Sequence, residues 1–165
     1  MPIVETGYLD YEELKACQKL PGEARFEKGP VAVIECVQEI PCNPCEAACR
    51  FGAIRIGDEI TSLPELLADK CTGCGVCIAQ CPGLAIFVVD KSGADSATVA
   101  FPYEYYPTPA KGDKVKAVNR RGEPVCDATV EKVQSPRSYD HTPVVTVRIP
   151  RKYADEVRGI ERKRS

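Results

Sequence analysis

The chain has 165 residues, of which 44% are hydrophobic and 28% charged, and its formal net charge is −2. This composition provides enough apolar residues for a folded core and argues against general disorder. The longest apolar run, 84–89, is too short to cross a bilayer, and the first residues lack the basic and apolar pattern of a secretory signal. We therefore expect a cytoplasmic protein without membrane partners, whose ten cysteines stay reduced.

Charge divides the chain into two parts. Residues 1–110 carry 8 Lys and Arg against 16 Asp and Glu, whereas residues 111–165 carry 14 against 8. Eight of the ten cysteines lie in the acidic part, between Cys36 and Cys81. Such a division predicts modules with different roles. We expect an N-terminal extension (1–30), a cysteine-rich domain (31–95) and a C-terminal module (96–165).

A short helix and a strand are predicted first along the chain. Asp10 followed by Glu13 has the pattern of a capping box, so a helix is expected to begin there and to end before Pro21. Residues 31–34, all aliphatic, predict a strand that leads to Cys36. A second capping-box pattern at 62–65 predicts a short helix through residues 66–68.

An internal repeat covers the cysteine-rich part. A shift of 32 positions superimposes three pairs of cysteines, Cys42 on Cys74, Cys45 on Cys77 and Cys49 on Cys81. The same shift loosely aligns residues 52–54 with 84–86. We expect two copies of one loop-and-strand unit, related by a pseudo-twofold axis.

Alternating apolar residues dominate the C-terminal module. Four segments, near residues 99–105, 115–117, 126–130 and 145–149, have the period of antiparallel strands, and Pro102 predicts an edge or a bulge in the first. We expect these strands to close into a small barrel. Residues 151–162 predict a final helix that packs Tyr153, Val157 and Ile160, with a frayed end at 162–165. The fold class expected for the whole chain is α+β.

The cysteine spacing predicts two iron–sulfur clusters. Residues 71–82 contain three cysteines spaced for one cubane cluster and a fourth, before Pro82, that turns to a second cluster. The first half keeps this pattern, but five residues separate its first two cysteines, which makes the first the least secure ligand. Crossing over of the fourth cysteines gives cluster I the ligands Cys36, Cys42, Cys45 and Cys81, and cluster II the ligands Cys71, Cys74, Cys77 and Cys49.

Other interpretations of the cysteines and of the histidine stay open. Four-cysteine zinc sites or a disulfide framework are alternatives, although the tight triplet and the absent signal favour clusters. Cys17 and Cys126 are expected to be buried apolar groups, and His141, the only histidine, a solvated loop residue. Gly73 and Gly75 are expected to let backbone amides approach a cluster. Ile34, Ile54, Leu84, Ile86 and Val88 are expected to exclude water from both clusters.

Residues 31–90, with eight cysteines in order and the repeat, resemble the bacterial-type ferredoxin that carries two 4Fe–4S clusters. Arg50 stands where that family usually has a proline after the crossover cysteine. This cation beside cluster II is expected to favour the reduced cluster and to raise its potential. No dinucleotide fingerprint, phosphate-binding loop or catalytic triad occurs in the sequence, so no catalytic residue is predicted.

Residues 21–52, especially 28–36 and 40–45, resemble small iron–sulfur subunits of flavin-dependent amino-acid dehydrogenase complexes. The resemblance implies partner subunits that bind FAD and NAD(P), and substrates such as proline, hydroxyproline or opines. The chain would then carry single electrons between flavin centres and would be a non-catalytic subunit of an oxidoreductase. Tyr103, Tyr105 and Tyr106 are candidates either for docking surface or for core.

Two alternatives differ in the partner. A free-standing ferredoxin would diffuse between several acceptors. A redox-responsive nucleic-acid-binding protein would use the basic residues near 111–122, but the net charge of +6 over residues 111–165 is modest and the whole chain is acidic.

Overall fold

The structure is a computed structural model that describes residues 3–162. Within this range there are five short α-helices: α1 (Ile3–Thr6), α2 (Tyr11–Ala16), α3 (Glu23–Phe26), α4 (Pro44–Ala48) and α5 (Val76–Gln80). The strands of the same range are β1 (Val31–Ile34), β2 (Ile54–Arg55), β3 (Glu65–Leu66), β4 (Ile86–Asp90), β5 (Ser96–Pro102), β6 (Lys114–Val118), β7 (Pro124–Gln134), β8 (Val144–Pro150) and β9 (Gly159–Ile160). Helices and sheet occur together in this α+β chain, as expected.

The first predicted elements are confirmed. Asp10 caps α2, because its side chain accepts from the Glu13 N–H at 2.8 Å while the Glu13 carboxylate accepts from the Asp10 N–H at 2.9 Å. Strand β1 has all four residues buried. It pairs antiparallel with β4, with Ile34 opposite Ile86, and ends two residues before Cys36. The chain thus enters the cysteine-rich loops from a fully buried strand.

One antiparallel sheet of seven strands links the cysteine-rich part to the C-terminal part. The strand order is β1-β4-β5-β8-β7-β6-β9, and a separate two-stranded sheet joins β2 to β3. The main core contains β1 residues at one end of the sheet and Ile160 of β9 at the other. Because residues from both ends share one core, the sheet curls around it. A second core lies between the opposite face of β1 and β4 and helices α4 and α5.

The two cysteine-rich loops share several local backbone features. Helix α5 follows α4 by 32 positions, and both Gly52 and Leu84, also 32 apart, have a positive φ, of 63° and 52°. Both of these residues donate a backbone hydrogen bond of 3.2 Å to the crossover cysteine three positions earlier. These local matches are those that the 32-residue shift predicts.

The prediction of a helix through residues 66–68 is wrong. Residues 65–66 form β3 and pair with β2, and the chain makes only a short 3-10 turn at Ala68–Lys70. Ser62 lies in a turn, in which its N–H donates to the Glu59 carbonyl at 2.9 Å. Pro64 disfavours helical backbone at the residue before it, and too few residues precede Cys71 for a stable helix.

The prediction of a C-terminal helix is also wrong. Residues Arg151–Tyr153 form a 3-10 turn, after which β9 pairs with β6, so that Ile160 lies opposite Ala117. Val157 and Ile160 are buried as expected, but a turn and a strand bury them. Backbone pairing with β6 replaces the hydrogen bonds that a helix would have supplied. The predicted frayed end, apart from Arg162, lies outside the described residues.

The four strands predicted for the C-terminal module are present and antiparallel. Strand β5 is central rather than an edge, since it pairs with both β4 and β8. Pro102 is tolerated because pairing with β4 ends at Ala100, so the missing N–H lies beyond that ladder. The pairings do not confirm a separate barrel, because β5 continues the sheet into β4. In the described part of the chain, no helix has the length and apolar character needed to span a membrane.

Candidate metal centres

Two small cavities lie against the second core, and each is lined by four cysteines. Cavity I is lined by the first predicted set, Cys36, Cys42, Cys45 and Cys81. Cavity II is lined by the second set, Cys49, Cys71, Cys74 and Cys77. The structure therefore brings together the same two sets of thiols that the spacing rule grouped, including the exchange of Cys49 and Cys81.

The fold explains this exchange of cysteines. In each repeat a short helix carries one buried cysteine, Cys45 in α4 and Cys77 in α5, toward its own cavity. The cysteine at the end of each helix, Cys49 or Cys81, has extended backbone and faces the other cavity. Pro44 at the start of α4 suits a first helical turn, where its missing N–H loses no bond.

Apolar side chains complete the walls of both cavities. Ile34 and Ile86 line cavity I, and Ile54 and Val88 line cavity II. All four are buried, as predicted. Leu84, the fifth predicted wall residue, is 40% exposed and lines neither cavity. Its backbone turn places the side chain outside, so this prediction is wrong.

Backbone amides point at three of the cysteine sulfurs. The Ala53 N–H donates to Cys49 Sγ at 3.3 Å, and the Ala85 N–H donates to Cys81 Sγ at 3.5 Å. These two bonds are equivalent under the 32-residue shift. The Ala32 N–H donates to Cys71 Sγ at 3.3 Å from strand β1. Such donors stabilise negative charge on a ligating sulfur and tune its redox properties.

Burial makes two of the thiols, Cys45 and Cys77, weaker acids. Burial, with smaller contributions from Cys71, Cys74 and Cys49, raises the pKa of Cys77 to about 12. Burial likewise raises the pKa of Cys45 to about 11. Neutral thiols are therefore the stable form of these groups without metal, and a bound metal must displace their protons.

The cysteines do not close on a single ion. Among residues 3–162, no group of three or more His, Cys, Asp or Glu side chains is arranged around one metal ion. Four thiolates on one zinc would lie only about 3.8 Å from each other, given a zinc–sulfur distance of about 2.3 Å. Eight thiols around two apolar spaces fit a larger inorganic group, and they fit the donor chemistry of a 4Fe–4S cluster.

The remaining predicted residues have mixed outcomes. Cys126 packs partly buried against the main core, and Cys17 is half-buried, while His141 is exposed in its loop. Gly73 and Gly75 both have a positive φ, of 71° and 81°. For Gly73 an additional reason appears, because a Cβ there would lie 2.5 Å from the Pro30 side chain. Close packing against Pro30, the residue before strand β1, therefore requires glycine at that position.

The tyrosines divide between core and surface. Tyr103 is buried, and its ring meets the Tyr105 ring edge to face, with 5.7 Å between the ring centres. Tyr105 and Tyr106 are 53% and 85% exposed. Exposed apolar residues also lie at both cavities. Ile40 lines cavity I and Phe51 lines cavity II, and both are about half exposed. Each cavity therefore has one wall that reaches the surface.

Several residues around the cavities could not be found from the sequence. Glu35, beside Cys36, is held by Arg120 and Arg158 from the C-terminal module. Burial opposes ionisation of Glu35, but the hydrogen bonds and charges of the two arginines outweigh burial and hold the pKa of its carboxyl below the usual value. Tyr139 is buried near cavity II, where burial and the charges of Cys74 and Cys77 raise its pKa. No local sequence signal marks these long-range contacts.

Comparison with known proteins points to the same cysteine-rich region. Residues 35–85 match the model of a 4Fe–4S dicluster domain. An uncharacterised ferredoxin of Methanocaldococcus jannaschii is 32% identical over 83 residues, which cover 49% of this chain and 51% of that protein. One component of an ion-translocating oxidoreductase complex of Methanosarcina acetivorans is 47% identical over 47 residues, covering 28% of this chain and 17% of that protein.

A third relative is one component of a Na⁺-translocating ferredoxin:NAD⁺ oxidoreductase complex of Acetobacterium woodii. It is 47% identical over 48 residues, which cover 29% of this chain and 14% of that protein. This chain thus spans about half the length of the first relative and less than a fifth of the other two. No solved structure matches the chain. Together, the dicluster match and the relatives support a ferredoxin-type iron–sulfur domain at residues 35–85.

Proposed function

We propose that the chain binds two 4Fe–4S clusters and relays single electrons between two redox partners. Cluster I is held by Cys36, Cys42, Cys45 and Cys81, and cluster II by Cys71, Cys74, Cys77 and Cys49. One observation carries this proposal: the fold collects these eight thiols into two cavities of four, with Cys49 and Cys81 exchanged between the two loops. The matched backbone of α4 and α5 supports a pseudo-twofold relation between the two sites.

The residues around the cavities have distinct tasks. A bound 4Fe–4S cluster supplies a centre that gains or loses one electron at a time. The buried aliphatic walls exclude water, and the amides of Ala53, Ala85 and Ala32 offset negative charge on three ligating sulfurs. The acidic surroundings of residues 1–110 oppose the addition of an electron, so low potentials are expected.

A relay needs two accessible ends. At cavity I, Ile40 and Ile60 are each 50% exposed, and the Cys42 N–H donates to the Ile60 carbonyl at 3.1 Å. At cavity II, Cys74 is itself exposed beside the 44% exposed Phe51. Exposed apolar groups beside each site favour contact with a partner surface. Two such surfaces support transfer from one partner to another.

The partners that we propose are flavin-containing subunits of a dehydrogenase complex that oxidises an amino acid. The resemblance of residues 21–52 to small subunits of such complexes supports this class of partner. Two of the relatives are also named as subunits of oxidoreductase complexes. A diffusible ferredoxin is the second candidate, and the similarity to the M. jannaschii ferredoxin favours it.

Nucleic-acid binding has less support. Cations of the C-terminal sheet are paired with carboxylates on neighbouring strands: Lys116 with Asp127, and Arg148 with Glu131 at 2.5 Å. Paired cations form a weaker phosphate-binding surface than unpaired ones. A steep salt dependence of RNA binding would be required to revive this alternative.

Two measurements test the proposal. Anaerobically prepared protein is expected to contain about eight iron and eight sulfide per chain, and its reduced form to give the electron paramagnetic resonance of two interacting 4Fe–4S clusters. Colourless protein that contains zinc would reject the clusters. Purification from the native host under anaerobic conditions is expected to yield a complex that contains flavin. A stable monomer without flavin, able to reduce several acceptors, would support the diffusible ferredoxin instead.

A further inference from the structure

We propose that Arg120 and Arg158 of the C-terminal module are positioning residues for cluster I. They fix Glu35, through it they hold two cluster I ligands in place, and their positive charge raises the potential of cluster I. This inference rests on the proposed assignment of cluster I to cavity I. It makes the C-terminal module part of the redox centre.

The contact between the two parts of the chain is a buried ion cluster. Arg120 holds the Glu35 carboxylate with two bonds, Nε to Oε2 at 2.9 Å and Nη2 to Oε1 at 2.5 Å. Arg158 adds a third bond, Nε to Oε1 at 2.7 Å. The side chains of Glu35, Arg120 and Arg158 are only 7%, 10% and 4% exposed. Water therefore does little to screen their charges.

Both arginines are themselves fixed. Arg120 Nη1 donates to the Asp155 carbonyl at 2.9 Å, and Arg158 Nη1 donates to the carbonyls of Ala154 and Val157 at 2.9 and 2.6 Å. The Arg158 guanidinium also lies 5.4 Å from the centre of the Phe87 ring. The carboxylate is thus held by groups that cannot easily turn away from it.

Two short routes connect Glu35 to the ligands of cluster I. Glu35 is covalently bonded to Cys36, the ligand that the sequence marks as the least secure. In addition, the Glu35 N–H donates to the Ala85 carbonyl at 2.8 Å, and the Ala85 N–H donates to Cys81 Sγ at 3.5 Å. Fixing Glu35 therefore restrains two ligands of cluster I, one from each cysteine-rich loop. No comparable cluster from the C-terminal module meets a ligand of cavity II among the contacts of the described residues.

The charges of the ion cluster act on cluster I in opposite directions. Two guanidinium groups share the Glu35 carboxylate, and Asp155, the other carboxylate near Arg158, is paired at 2.7 Å with Lys91, which also pairs with Glu23 at 3.1 Å. In a poorly screened place a positive charge stabilises the more negative, reduced form of a nearby cluster, and a carboxylate opposes it. Removal of one arginine or of the carboxylate must therefore change the potential of cluster I in opposite directions.

The test is an anaerobic redox titration of four variants with dithionite and mediators, followed by visible absorption and electron paramagnetic resonance. In Arg120→Gln one of the two midpoints is expected to fall, in Glu35→Gln the same midpoint is expected to rise, and the other midpoint stays in both. Lys116→Gln removes an exposed, paired cation from β6 and is the control, with both midpoints unchanged. Arg120→Lys keeps the positive charge but loses the paired hydrogen bonds to the Glu35 carboxylate, so the midpoint of this variant stays near the wild-type value.

The release of iron to a chelator provides an independent measurement. The iron of one cluster, half of the total, is expected to leave several-fold faster from Arg120→Gln, Glu35→Gln and Arg120→Lys than from the wild type or the control. Each of these changes weakens the hydrogen bonds that fix Glu35. Shifts of equal sign in Arg120→Gln and Glu35→Gln, or shifts of both midpoints together, would overturn the electrostatic part. Unchanged iron release in all three would overturn the positioning part. A wild-type chain without about eight irons would contradict the proposed function itself, and this outcome is separate from the other two.

Discussion

Replacement of Gly73 by alanine is the most direct test of how closely cavity II is packed. Gly73 lies between Cys71 and Cys74 with a φ of 71°, and an added Cβ would lie 2.5 Å from Pro30 Cβ and 2.7 Å from the Pro30 carbonyl oxygen. Left-handed backbone costs a residue other than glycine about 1–2 kcal/mol. Overpacking against a fixed backbone adds about 1–3 kcal/mol. The sum predicts a loss of about 2–5 kcal/mol.

Gly75 provides the matched control two residues later in the same loop. Its φ is 81°, but an added Cβ would meet only the Ile78 side chain at 3.6 Å, an ordinary contact. Gly75→Ala should therefore lose only the backbone contribution of about 1–2 kcal/mol. The difference between the two variants isolates the overlap with Pro30.

The assay is anaerobic denaturant unfolding of the cluster-loaded protein, with iron counted in each sample before unfolding. Because the loss of metal accompanies unfolding, the variants are compared by their midpoints under identical conditions rather than by absolute free energies. We expect Gly73→Ala to unfold at the lowest denaturant concentration and to lose about half of its iron first, from the site that contains Cys74. Equal midpoints and equal iron contents for the two alanine variants would refute this argument about packing.

Three further outcomes are expected. Cys36→Ser should lose iron from one cluster, since one of four thiolates is removed, whereas Cys126→Ser should keep the wild-type iron content; full iron retention in both would show that Cys36 is not a ligand. Arg50→Pro should lower one midpoint, by an amount that shrinks in added salt because Arg50 is exposed, and a titration that shows no movement would reject the role of this cation. Burial and nearby carboxylates raise the pKa of Tyr11 to about 12, so its contribution to stability is complete below pH 10 and is lost as the pH rises toward 12. Tyr11→Phe should therefore flatten the fall of the unfolding midpoint above pH 10, and Tyr106→Phe, at an exposed site, should leave the wild-type slope.

Local sequence patterns predict much of the site. The grouping of the eight cysteines follows from spacings of two and three residues, which the covalent chain imposes within one short loop. The capping box at Asp10 and the buried strand before Cys36 are likewise local, and both are present. The buried walls of the cavities follow from aliphatic residues next to the cysteines.

Features that depend on distant partners could not be predicted. Residues 65–66 have helix-compatible neighbours, but the opposing strand β2 captures them. The segment around Val157 and Ile160 has helical spacing, and β6, about 40 residues earlier in the chain, pairs with it instead. The ion cluster joins Glu35 to Arg120 and Arg158 across 85 and 123 positions. A single sequence does not specify such pairs, because each residue has many possible partners of opposite charge.

Strand β4 has two neighbouring residues that serve opposite sides of the molecule. Val88 lines cavity II, while Val89 belongs to the main core, and the same strand bonds to β5. In a chain that never acquires iron, this strand would be poorly packed on the cavity face, and the packing of the main core on its other face would weaken as well. In iron-starved cells we therefore expect proteases to degrade the whole polypeptide, without a surviving C-terminal fragment. Supply of the metal would thus set the abundance of the protein as well as its redox chemistry.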